Sequence, residues 1–102
     1  MIVEVSAEAA GFVRERGGRL WIWAAYPRLC CAGSPAWMHA EVSPPAGLAG
    51  FRLLEQSAET GDLQLFFKGL AGRQPDTLQV ALHGRRRPAV EAYWDGCLMA
   101  MA

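Results

Sequence analysis

The chain has 102 residues, 52% of them hydrophobic and 20% charged, and its ten basic and ten acidic side chains give a formal net charge of zero. That length suits a single domain, residues 1–102, with a modest core, and the apolar content excludes a disordered chain. Balanced charge argues against a nucleic-acid binder, which needs a basic footprint, and the longest apolar run, residues 20–26, is far short of the roughly 20 residues a membrane-spanning helix needs.

Glu4 and Glu8 lie near the start without a basic region, unlike a secretory signal. A cytoplasmic location is therefore expected, with the three cysteines reduced. Four tryptophans in so short a chain call for a core or an interface built from large amphipathic rings.

Ile2-Val3-Glu4-Val5 reads as a short strand. Ser6 is placed to cap a helix over residues 7–16, with Glu8 in its first turn, Ala9, Phe12 and Val13 along one face, and Val5 positioned to staple onto Ala10. Gly17-Gly18 ends that helix, one glycine supplying the left-handed conformation. Residues 19–26 carry the strongest strand pattern: Leu20, Ile22 and Ala24 on one face, Trp21, Trp23 and Ala25 on the other. With both faces apolar, this strand is expected at the centre of a sheet covered on both sides, or with one face packed in a homodimer.

A loop follows, Pro27-Arg28-Leu29-Cys30-Cys31-Ala32-Gly33-Ser34-Pro35, and then a strand over 37–43 that alternates Trp37, His39 and Glu41 against Met38, Ala40 and Val42. Pro44-Pro45 breaks the chain. Residues 51–56 suit a strand, although Leu53-Leu54-Glu55-Gln56 also suits a helix. Further strands are predicted over 62–68, 77–82 and 89–95, separated by Pro75-Asp76 and by the turn from His83 to Pro88. Gly96-Cys97-Leu98-Met99 closes the pattern. Six or seven short strands and one short N-terminal helix make the predicted fold mainly β (α+β), with packed sheets.

The cysteine loop concentrates the chemistry. Neighbouring Cα atoms are about 3.8 Å apart, less than the roughly 4.4–6.8 Å of ordinary disulfides, so a Cys30–Cys31 bond would be strained and labile. As thiolates the pair can give a soft metal two sulfur ligands, and Arg28 is near enough in sequence to lower a thiol pKa. Cys97 in Asp95-Gly96-Cys97 matters if the fold carries it to that loop, where three thiols with Asp95 would make a soft-metal or iron–sulfur shell. His39, eight residues past Cys31, is a further candidate ligand, whereas His83 stands alone. Arg85-Arg86-Arg87 is a candidate anion-binding run, or a solvated turn. A phosphate-binding glycine loop, a serine elbow and a paired-carboxylate constellation are all missing from the sequence.

With its leading strand, Ser-capped helix, Gly-Gly, Cys/Gly loop, succession of strands and C-terminal Gly-Cys, the layout resembles the HesB-like, A-type iron–sulfur carriers. That resemblance implies packed β-sheets, a dimer, and iron or an iron–sulfur cluster held by Cys30 or Cys31 and by Cys97. Asp95 stands where the family has a further cysteine, the early cysteine is doubled, and Tyr26-Pro27-Arg28-Leu29 replaces a glycine-rich run. The doubled cysteine resembles HesB-related proteins in which selenocysteine can take one of the two places. Three readings follow: a metal (iron or zinc) or iron–sulfur binding protein, a thiol redox enzyme in which one loop cysteine attacks and the other resolves, and a protein-partner module with incidental thiols.

Overall fold

The computed structural model describes residues 1–26, 36–54, 62–70 and 72–100. Among them the elements run β1 (Ile2–Val5), α1 (Ala7–Glu15), β2 (Arg19–Ala25), β3 (Ala36–Glu41), β4 (Arg52–Leu53), β5 (Gln64–Lys68), β6 (Thr77–His83), β7 (Ala89–Trp94) and β8 (Met99–Ala100). The protein is mainly β with one short helix, as predicted. No described helix is long and apolar enough to cross a membrane.

The helix forms where its caps dictate. Ser6 is extended, at φ −65° and ψ 154°, and its hydroxyl accepts the Ala9 N–H at 3.1 Å. At the other end Gly18 N–H donates to the Val13 carbonyl at 2.9 Å and Gly17 N–H to that of Arg14 at 3.4 Å, the bond pair of a Schellman end. Gly17 holds φ 108°, which a side chain would resist. Arg14 then fixes the helix to the start of β5 through a two-pronged pair with Asp62, in which Arg14 Nη2 and Asp62 Oδ1 are 3.0 Å apart. The guanidinium bond holds the Asp62 carboxyl below its ordinary range.

Two sheets result. One has the order β1-β6-β7, with β1 parallel to β6; the other has the order β4-β5-β2-β3-β8, with β2 parallel to β5. The core lies between them and beneath the helix. Leu20 and Ile22 of β2, Leu65 and Phe67 of β5, Leu78 and Val80 of β6, Ala92 and Trp94 of β7, and Ala9 and Val13 of α1 all belong to one buried cluster. Each large side chain buried there contributes about 1.5–3 kcal/mol.

The opposite face of β2 is also occupied from within the chain. Trp21 is only 7% exposed and stacks on Phe66, with centroids 5.3 Å apart. Trp23 stacks on His39 at 5.3 Å and meets the edge of Phe51 at 6.0 Å. The strand is central in its sheet, with apolar contacts on both faces.

Most strand boundaries shift by one or two residues from the pattern reading, and three differences are of note. Of the strand predicted over 51–56, Arg52–Leu53 is strand among the described residues, and residues 55 and 56 lie outside them. The strand predicted over 62–68 starts at Gln64, because Asp62 is engaged by Arg14. The residues after Cys97 form β8, a strand too short for alternation to reveal.

Candidate functional site

Cys30 and Cys31, with Pro27 and Arg28, lie outside the described residues. The chain on either side is fixed: Ala25 pairs with Trp37, so the loop leaves and re-enters the same end of the β2–β3 ladder. Exposed apolar side chains flank it there, Tyr26 at 61% and Trp37 at 43%.

Cys97 follows a two-residue turn. Trp94 N–H donates to the Cys97 carbonyl at 2.7 Å and Cys97 N–H returns the bond at 2.9 Å. Asp95 and Gly96 take φ 48° and 83°, the paired positive values of a type I′ turn, for which Asp-Gly is a preferred sequence. Asp95 also bolts the turn to β6: its Oδ1 accepts the Thr77 N–H at 2.8 Å, and its own N–H donates to the Thr77 carbonyl at 3.0 Å. One carboxylate oxygen of this candidate ligand therefore already serves the fold. Sequence reasoning placed Asp95 at the end of the last strand and among the candidate ligands, although an Asp-Gly pair beside an alternating run was the signal for a turn.

Beyond the turn the chain crosses to β3. Ala36 pairs with Ala100, Trp37 with Met99, and Met38 N–H donates to the Leu98 carbonyl at 2.8 Å.

Cys97 is a free, half-buried thiol. His39 is exposed and lies flat against Trp23, its ring plane only 17° from the indole's. Among the described residues no group of three or more His, Cys, Asp and Glu side chains could hold a metal ion, so Cys97, Asp95 and His39 do not form a shell by themselves. His83 lies on the other sheet, 4.0 Å from Glu91 Oε2. Arg85, Arg86 and Arg87 are fully displayed in the turn between β6 and β7, and no described carboxylate forms an ion pair with them. Comparison with protein-family models, with curated proteins and with solved structures finds no match to this chain.

Proposed function

We propose that this is a soft-metal or iron–sulfur binding protein of the HesB-like type, with Cys30, Cys31 and Cys97 as ligands and His39 or the free oxygen of Asp95 as a supplement. The supporting observation is the β3–β8 ladder: the strand that leaves the cysteine loop is hydrogen-bonded to the strand that leaves Cys97. Thiolates suit zinc, iron and iron–sulfur clusters, and need a reducing compartment such as the cytoplasm to stay available. Three thiolates fall one short of a tetrahedral set. In this proposal a homodimer supplies the remainder, with the exposed Tyr26 and Trp37 beside the loop as its apolar contact.

The test is metal analysis and absorbance of protein purified without oxygen, with alkylation of each thiol followed by mass spectrometry. Zinc or ferrous iron is expected to protect Cys30, Cys31 and Cys97 together, and Cys31→Ser or Cys97→Ser to weaken protection of the other two. A metal-free protein that loses two hydrogens between Cys30 and Cys31 on mild oxidation would replace this reading with thiol redox chemistry. Thiols indifferent to both treatments would leave a module that binds a protein partner.

A further inference from the structure

We propose a binding site for a small phosphorylated molecule in the cleft beside β4 and β5 that Arg52, Lys68 and Arg73 line. β4 and β8 are opposite edges of the five-stranded sheet, so this site stands apart from Cys97. The cleft encloses about 480 Å³, within the range of small-molecule sites and larger than one phosphate group needs. Its charged lining is wholly basic, with the polar Gln74 beside the three bases.

The three bases come from separate segments, and local contacts fix the Arg52 head, the Lys68 stem and the Arg73 backbone. Gln74 Oε1 accepts from Arg52 Nη2, and the Arg52 guanidinium carbon lies 5.9 Å from the Phe67 ring centre. An amide partner orients the guanidinium fork without cancelling its charge. The backbone at Gly50 packs on the Lys68 stem so closely that an added Cβ would stand 3.1 Å from Lys68 Cε. Arg73 closes a tight turn with Leu70 through bonds of 2.8 and 3.2 Å, and a Cβ at Gly69 would stand 2.0 Å from the Arg73 carbonyl oxygen.

Three like charges gathered in one cleft repel one another. This chain has ten acidic side chains with which to offset them, yet among the described residues none pairs with Arg52, Lys68 or Arg73. A bound oxyanion removes that repulsion. The Arg forks can donate to it in two-pronged fashion, Lys68 adds a point charge, and the volume beyond one phosphate group leaves room for an organic group.

Calorimetric titration of the full, reduced chain with pyrophosphate, inorganic phosphate and glycerol 3-phosphate tests the site. Saturable binding is expected, with glycerol 3-phosphate tighter than inorganic phosphate. Lys68→Gln and Arg73→Gln change exposed side chains, so the fold should survive, and unchanged thermal melting checks that it does. Each should weaken binding about tenfold or more, as loss of a charge-assisted bond requires. The triple variant Arg85→Gln, Arg86→Gln, Arg87→Gln should change affinity less than about twofold, as distant exposed charges do. Absence of saturable binding by all three probes would overturn the proposal. Equal weakening by the triple variant would also overturn it, by showing attraction to general surface charge, and equal affinity for inorganic phosphate and glycerol 3-phosphate would overturn the organic-ligand part.

Discussion

The two sheets spend the same alternation differently. On the three-stranded sheet, Leu78 and Val80 turn into the core while Gln79 turns outward, where its amide donates to Glu4 at 3.2 Å; beside it Tyr93 donates to Glu91 at 2.7 Å. One face is dry and the other is polar. On the five-stranded sheet β2 is apolar on both faces, and its outer face carries Trp21, Trp23, Phe66 and His39 in ring contact. The connection from β3 to β4 must pass β2 and β5, and at its end Phe51 packs edge-on against Trp23. A second apolar face thus needs a cover, and here the chain brings its own, forming an aromatic cluster beneath a long connection.

The sharpest way to break this comparison is to truncate one side chain on each surface and measure urea unfolding. Phe67, 1% exposed between the sheets, should cost about 3–5 kcal/mol as Phe67→Ala. Trp23→Ala removes a half-buried ring and two aromatic contacts, and should cost about 2–3 kcal/mol. Gln79→Ala on the polar face should stay within about 0.5 kcal/mol. If Trp23→Ala behaved like Gln79→Ala, the outer aromatic face would be plain surface, and the case for a partner seated there would grow.

Local chemistry was legible in the sequence. Ser6, Glu8 and Gly17-Gly18 announce a helix and its two ends, and the alternation of Leu78 and Val80 announces a strand with one wet face. What sequence could not show is convergence. Arg52, Lys68 and Arg73 come from different segments, and only the pairing of β4 with β5 brings two of them together. Cys97 reaches β3 through a two-residue strand that carries no periodic signal at all. His39 read as a candidate ligand, but its ring spends one face on Trp23, a contact set by the β2–β3 register that pairs Trp23 with His39.

A middle-sized effect separates the two jobs of Asp95, which joins the sheets' shared corner. Asp95→Ala loses both the carboxylate bond to Thr77 and a residue tolerant of positive φ, and should destabilise by about 1–2 kcal/mol. Asp95→Asn keeps an acceptor oxygen and that tolerance, and should cost less than about 1 kcal/mol. Metal protection of Cys97 in the Asn variant then reads ligation alone. Protection retained in full would assign Asp95 to the turn, and protection lost from a stably folded variant would add it to the shell.

The smallest expected effect tests the polar face. Tyr93 donates its phenol proton to Glu91, and that bond, with partial burial and the carboxylate's charge, raises the Tyr93 pKa above its ordinary value near 10. The neutral phenol is the form the folded state prefers. Its contribution to stability is therefore complete below the unfolded pKa and is lost as pH rises through the higher folded pKa. The chain has two tyrosines, so Tyr26→Phe leaves tyrosinate absorbance to Tyr93 alone. In that background the midpoint should lie above about 10, and Glu91→Gln should bring it down by removing both the charged acceptor and its field. An unmoved midpoint would mean that burial, not Glu91, holds the proton, and that this face of the three-stranded sheet is drier than its alternation implies. The contrast with the Trp23 face would then be one of degree.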